Sequence, residues 1–287
     1  GGNDMNSPVG LTPPVSVETT PLRDGGLELL LKMIAGNRFL PVPPQEKNFV
    51  GDGDYLSIGA EFLGHFIKYG GLQPTGKVLD IGCGIGRMAV PLTQYLDPDA
   101  STYAGFDPTS AGIEWCTCNI GAVYPNFRFV HLDIAHDLYN PGGYIDGAAI
   151  SLPFAKETFD FAIMTSVVTH LPPDEILPYF REISRLLEPG GRLFLSAFIM
   201  ETPEAPRAEG HDRRVEFIRS GDGPAWYANK DAPLAAVAFD DGFLDQALRT
   251  AGLEVAQKRF GHWRGRTGGQ HYQDFLVAEK RPGGDRS

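Results

Sequence analysis

A doubly wound α/β sheet is the fold class this sequence predicts, and three observations predict it. Apolar runs of strand length alternate with helical patterns from residue 77 to residue 199. The first run ends in a glycine turn, Gly82-Cys83-Gly84-Ile85-Gly86, the kind of turn that brings backbone close beneath a ligand at the carboxyl edge of such a sheet. A later run, residues 159–164, is apolar on both faces, as a central parallel strand must be.

Each element has its own justification. Residues 27–35 form a short apolar stretch that reads as a helix ending near Gly36. A Pro-rich turn follows, and then Ile58, Phe62, Leu63, Phe66 and Ile67 fall on one face of an amphipathic helix. Gly70-Gly71 stops it. Residues 77–81 read as the first strand, with a helix after the glycine turn running to about Leu96; Pro91 inside it implies a kink or a late start. Residues 102–106 are a second strand, followed by Thr109 or Ser110 as a helix cap, and residues 127–132 are a third. After the strand 159–164, Ile176, Phe180, Ile183 and Leu187 make the stripe of a helix over 174–187. Glu188-Pro189-Gly190-Gly191 turns into a fifth strand, 192–199. A helix over 243–250 precedes two strands, 253–259 and 272–279, with no helix between them, which implies a closing antiparallel hairpin and seven strands in all.

The segment 201–238 breaks the alternation. It is rich in Pro, charge and aromatics, and a stretch this long inside a compact domain is a functional lid or an inserted subdomain. The expected organisation is a mobile segment over 1–26, a helical cap over 27–71, the binding core over 72–200, the lid over 201–238, and the last helix and hairpin over 239–287.

Composition narrows the function classes. The 287 residues carry a formal net charge of −11 and are 42% hydrophobic, enough for one core. An acidic surface repels phosphate backbones and anionic lipid, so neither nucleic acid nor membrane is expected as a partner. Cys83, Cys116 and Cys118 lack the spacing of a metal or redox pair and read as free thiols of a reducing compartment. No apolar run approaches the roughly 20 residues of a membrane helix, and no secretion signal is evident. The expectation is a cytoplasmic protein.

Chemistry concentrates at the strand ends. The second strand ends in Phe106-Asp107, about 20 residues past the glycine turn, the spacing of a carboxylate that accepts ribose hydroxyls. The plainer reading of Asp107 is a helix cap, but its place beside the turn favours the ribose role. Asp80-Ile81-Gly82-Cys83-Gly84, Asp107, Leu132-Asp133-Ile134, Phe159-Asp160-Phe161 and Leu187-Glu188-Pro189-Gly190-Gly191, in this order, resemble the successive motifs of class I S-adenosylmethionine-dependent methyltransferases. The likeness runs from about residue 77 to residue 198, and the closing strand pair is similar to that fold's reversed last strand. The stretch 49–54 resembles bacterial members associated with polysaccharide or secondary-metabolite pathways.

The resemblance implies roles. Asp80 organises the glycine turn and helps hold the amino group of the methionine part of S-adenosylmethionine. Gly82, Cys83 and Gly84 line the cofactor with backbone, and Arg87 approaches its carboxylate. Asp107 holds the ribose, Asp133 meets the adenine amino group, Ile134 packs on the ring, and Thr165 and Ser166 lie near the methionine chain. No metal ligands are expected. Methyl transfer needs alignment for in-line displacement, and a hydroxyl nucleophile benefits from a base. His170, just past the fourth strand, is the candidate base; the plainer reading is a packing or capping histidine, and the two weigh evenly. His211, Arg213, Arg214, Trp226, Tyr227, Asn229 and His262-Trp263-Arg264 are candidate contacts for a small-molecule acceptor, a sugar or other hydroxyl compound if the transfer is to oxygen, with N- and C-methylation the alternatives. Residues 49–55 are expected to close over the cofactor.

Two rival functions use similar elements. A nicotinamide-dependent oxidoreductase shares the strand, turn and acidic residue, but its fingerprint places a small residue where Arg87 stands. A non-catalytic binding module keeps the fold without the chemistry.

Overall fold

The computed structural model describes residues 25–48, 53–201, 215–219, 221–265 and 271–282. One ten-stranded sheet organises them. Its parallel centre is β1 (Lys77–Ile81), β2 (Thr102–Asp107), β3 (Phe127–His131), β4 (Phe159–Met164) and β5 (Leu187–Met200), in the order β3-β2-β1-β4-β5. β10 (Asp274–Lys280) runs antiparallel to β5 and to β9 (Leu253–Arg259), so the expected reversed hairpin closes the sheet. The order reverses at β1, between β2 and β4, which opens a crevice at the carboxyl ends of these strands.

The sheet has ten strands rather than seven because the segment expected to be an irregular lid adds three. β6 (Ile218–Arg219), β7 (Ala225–Tyr227) and β8 (Val237–Asp240) pair with one another, and β8 runs parallel to Phe198–Met200, the far end of β5. β5 is long enough to serve two neighbours: Arg192–Ala197 pairs with β10 and the last three residues with β8. Strands of two to four residues carry too little alternation to be seen in sequence.

Helices cover both faces. α2 (Tyr55–Lys68), α3 (Ala89–Leu92) and α4 (Ser110–Cys116) bury Phe62, Leu63, Phe66, Val90, Leu92 and Trp115 against Val78, Phe161, Ile163 and Phe194. α5 (Pro173–Leu186) and α6 (Asp241–Thr250) bury Ile176, Phe180, Ile183, Leu244 and Leu248 against Leu79, Ala162, Met164 and Leu195. Neighbours along each strand thus feed opposite faces, which is why the strands read as continuous apolar runs. α1 (Gly26–Ala35) lies against α2, with Leu31 beside Gly64. No helix among the described residues is long and apolar enough to cross a membrane.

Local details refine the expectations. The helix after the glycine turn starts late, at Ala89, as Pro91 implied, but is four residues long and ends at Leu92 rather than near Leu96. Thr109 precedes α4 without capping it, because its hydroxyl donates to Asp107 Oδ1 instead. Before α6 the Asp240 side chain makes no cap hydrogen bond; Arg219 and the Trp226 indole N–H occupy its carboxylate. The Glu188–Gly191 turn is present as an excursion within β5: Leu187 pairs with Phe159, and Arg192 pairs with Phe161.

Candidate active site

The crevice holds a cavity of about 920 Å³. Its floor is the glycine turn. Gly82, Gly84 and Gly86 have φ of 69°, 56° and 81°, a backbone region that side chains disfavour. A Cβ on Gly82 would stand 2.6 Å from Val167 Cγ2, so the turn also needs glycine for close packing. α2 clamps the turn, since the Tyr55 hydroxyl donates to the Ile85 carbonyl at 2.8 Å.

Asp107 sits at the carboxyl end of β2 on the cavity wall. Its Oδ2 accepts the Gly84 N–H at 2.8 Å, and its Oδ1 accepts the Thr109 N–H at 2.8 Å. Burial pushes its carboxyl above the usual range, against hydrogen bonds from Thr109 and Gly84. The carboxylate is thereby locked in place, and a carboxylate has about four lone-pair positions, so acceptor capacity remains for a ligand. Arg87 also lines the cavity, and its buried Nε has no hydrogen-bond partner. Burial lowers its pKa. A desolvated cation of this kind is the complement of a ligand carboxylate.

Gly82, Cys83, Gly84, Arg87, Asp107, Ile134, Thr165, Ser166 and His170 all reach the cavity wall. Ser166 has φ 55°, an uncommon conformation for a non-glycine residue, held because its N–H donates to Ser196 Oγ at 2.8 Å. Two expected residues do not reach the wall. Asp80 is 1% exposed beneath the turn, accepting the Tyr103 hydroxyl at 2.6 Å on Oδ2. Its Oδ1 is buried without a hydrogen-bond partner, and burial pushes its carboxyl up to about 7. Asp133 turns into its own loop, where Oδ1 accepts from the Asn140 amide at 2.9 Å. Its side chain holds the hairpin-like turn that places Ile134 and Ala135 on the wall.

His170 is half-buried. Its Nδ1 lies 2.9 Å from the Leu234 carbonyl and its Nε2 3.4 Å from the Tyr139 hydroxyl. A carbonyl only accepts, so Nδ1 carries the proton and Nε2 presents its lone pair. Burial lowers the pKa and keeps the ring neutral. His136 positions this corner: its Nε2 donates to the His170 carbonyl at 2.7 Å, and its Nδ1 accepts the Leu138 N–H at 3.1 Å. Glu175 lines the cavity too, and burial, with Asp174 and Asp146 nearby, pushes its carboxyl up to about 7.

The expected acceptor contacts divide. His262 lines the cavity. Trp263 and Arg264 do not: both are buried, Trp263 donating to Asp274 Oδ2 at 2.9 Å and Arg264 to the Ile199 carbonyl at 3.1 Å. Trp226, Tyr227 and Asn229 belong to β7 and the turn after it, away from the wall; Asn229 accepts the Asp231 N–H at 2.9 Å. His211, Arg213, Arg214 and residues 49–52 lie outside the described residues. Sequence reading missed Tyr139, Glu175, Tyr179, Glu61 and His271, all on the wall; only the 3.6-residue period of α5, which puts Glu175 and Tyr179 on one face, signals any of them.

Residues 79–195 match a family of methyltransferase domains. The chain is 28% identical, over 75% of its length, to a tRNA N(3)-cytidine methyltransferase of Homo sapiens, covering 50% of that protein. It is 26% identical over 69% of its length to a sterol 24-C-methyltransferase of Candida albicans, covering 44%. The chain spans about half the length of these curated relatives. Among solved structures, geranyl diphosphate C-methyltransferase from Streptomyces coelicolor superposes with a TM-score of 0.54 at 12% identity, over 86% of this chain and 84% of that one. The fold is shared; the substrates named are those of the relatives.

The site fits S-adenosylmethionine on its own geometry. An anchored carboxylate at the second strand end, a guanidinium with an unpartnered buried Nε beside the glycine turn and an apolar patch at Ile134 match ribose, amino-acid carboxylate and purine respectively. The nicotinamide reading loses to the family match and to Arg87. Residues 79–195 thus match a methyltransferase domain, and the described sheet, with its reversed last strand, has the fold of class I S-adenosylmethionine-dependent methyltransferases.

Proposed function

We propose that this chain transfers the methyl group of S-adenosylmethionine to an oxygen of a small-molecule acceptor, a sugar or secondary-metabolite hydroxyl, with His170 as the base. When bound, the cofactor supplies a methyl group on a cationic sulfur that is a good leaving group. Asp107 would hold the ribose hydroxyls, Arg87 the carboxylate, and Ile134 the adenine face, while the backbone of Gly82, Cys83 and Gly84 lies against the methionine part with Thr165 and Ser166. Asp80 and Asp133 act through the loops they hold.

The observation that carries the oxygen reading is the tautomer of His170. Its Nδ1–H is committed to the Leu234 carbonyl, so Nε2, which faces the Tyr139 hydroxyl at 3.4 Å, is the ring atom that can take a hydroxyl proton. The segment 201–238 contributes to the site through Leu234, in keeping with a lid that completes the acceptor pocket. A cavity of about 920 Å³ suits a cofactor and a small acceptor together.

Methyl transfer to tRNA is the second reading, and the human relative favours it. The net charge of −11 argues for the small acceptor, because polyanion binding needs neutralising cations. Free thiols at Cys83, Cys116 and Cys118 support a cytoplasmic setting. The test is a methylation assay with labelled cofactor against hydroxylated small molecules and against unmodified tRNA. Label transferred to a hydroxyl, lost in His170→Ala while cofactor affinity persists, supports the proposal; label on tRNA alone refutes it.

A further inference from the structure

At one side of the cavity wall, three potential ligands converge from distant parts of the chain. Glu61 and His65 are one helical turn apart on α2 and so project from the same face. His271 precedes β10, its backbone fixed by the His262 N–H, which donates to the His271 carbonyl at 2.9 Å. Glu61 Oε1 lies 3.5 Å from His65 Nε2 and 3.3 Å from His271 Nδ1, and the three ligand atoms all lie within 4.8 Å of one another.

These separations are long for charge-assisted hydrogen bonds, which close to about 2.7–2.9 Å. They suit a shared ion: two ligands bonded at about 2.0–2.1 Å to a tetrahedral centre stand about 3.3–3.4 Å apart. His65 supplies an independent observation. It is 8% exposed, and its buried Nε2 has no hydrogen-bond partner, an arrangement that costs about 1–3 kcal/mol unless something else satisfies the nitrogen.

We propose that Glu61, His65 and His271 bind one divalent transition-metal ion, zinc by its donor set, with an open coordination position facing the cavity. Two imidazoles and one carboxylate are a zinc ligand set of the kind that leaves a fourth position for water or substrate. Glu61 and His271 line the cavity and His65 stands behind them, so the open position faces the acceptor space. Aromatic rings hold the ligands: Phe62 lies 4.4 Å from the His271 ring and Phe275 5.2 Å from the His65 ring, centroid to centroid. One carboxylate leaves the ion with net positive charge, which would draw an anionic or lone-pair oxygen of an acceptor and make a bound hydroxyl more acidic. Metal binding stands independently of the methyl-transfer reading; only the acceptor's use of the ion rests on it.

The test uses the full chain, stripped with EDTA and dialysed. Zinc is titrated against a chromogenic chelator, and cobalt is substituted for its absorption spectrum. Wild type should bind one equivalent, and Glu61→Gln and His271→Gln, which each remove a direct ligand, should weaken binding by more than the roughly 10–100-fold that loss of an outer-shell partner costs, with unaltered circular dichroism. His131→Gln, outside the cluster, should bind as wild type. The cobalt form should show the intense visible bands of a four-coordinate site, and azide should shift them by entering the open position. Absence of stoichiometric binding, binding untouched by both substitutions, a weak six-coordinate spectrum, or no response to azide would each overturn the proposal. Calorimetry with S-adenosylmethionine on the same variants separates the two claims, because cofactor affinity should not change.

Discussion

His170 Nδ1 stands 2.9 Å from the carbonyl oxygen of Leu234, a contact that joins the end of the fourth strand to the strands added by the inserted segment. Because the carbonyl can only accept, this one bond sets the tautomer and aims the Nε2 lone pair toward Tyr139 and the cavity.

His170→Gln is therefore expected to lower kcat by about 10²–10⁴-fold while leaving S-adenosylmethionine affinity near that of wild type. Steady-state kinetics with calorimetry checks it, and a parallel loss of both would assign the residue to packing. Burial lowers the His170 pKa, so the base stays neutral to more acidic pH than an ordinary histidine. The acid limb of the kcat profile should accordingly fall below about pH 6.5.

Asp80 makes stability depend on pH. Its folded pKa is raised to about 7, above the ordinary 3.8, chiefly by burial and despite the Tyr103 hydrogen bond. Between these values the unfolded chain loses the proton and the folded chain keeps it. Stability from this group is thus present in acid and lost as pH rises, at about 1.4 kcal/mol per pH unit. Asp80→Asn should flatten that part of the slope, measured by urea unfolding from pH 4.5 to 8. An unchanged slope would mean that Asp80 ionises freely in the fold.

Asp274 is the buried anchor of the closing hairpin. Its carboxylate accepts the Gly261 N–H at 2.7 Å, the Ile199 N–H at 2.8 Å and the Trp263 indole N–H at 2.9 Å. Asp274→Ala leaves three buried donors without their acceptor and should cost about 3–5 kcal/mol in denaturant unfolding. A loss below about 1 kcal/mol would show that the hairpin is held by β10 pairing alone.

Gly59 lets α2 approach the turn that carries Arg87. A Cβ there would stand 2.4 Å from the Arg87 carbonyl oxygen and 3.1 Å from Pro91 Cγ. Gly59→Ala should destabilise by about 1–3 kcal/mol and weaken cofactor binding as the turn shifts. Unaltered thermal unfolding and affinity would show that the helix moves aside freely.

Much of the fold and part of the site were legible in the sequence, for reasons that differ by residue. β1, the glycine turn and Asp107 are contiguous or spaced by one helix, so local pattern places them. Period fixed the apolar face of α2 through Phe62, Leu63 and Phe66. The strands of two to four residues over 218–240 are too short for a period to register. Trp263 and Arg264 look like acceptor contacts until the hairpin brings Asp274 and Ile199 against them, contacts that no linear spacing announces. The same holds for Glu61 and His271, which come from opposite ends of the chain.

Calorimetric titration with S-adenosylmethionine, with NAD and NADP as controls, tests the central claim most directly. Micromolar binding of S-adenosylmethionine, abolished by Asp107→Ala and absent for both nicotinamide cofactors, is the predicted result. Binding of a nicotinamide cofactor instead, or of none of the three, would contradict it.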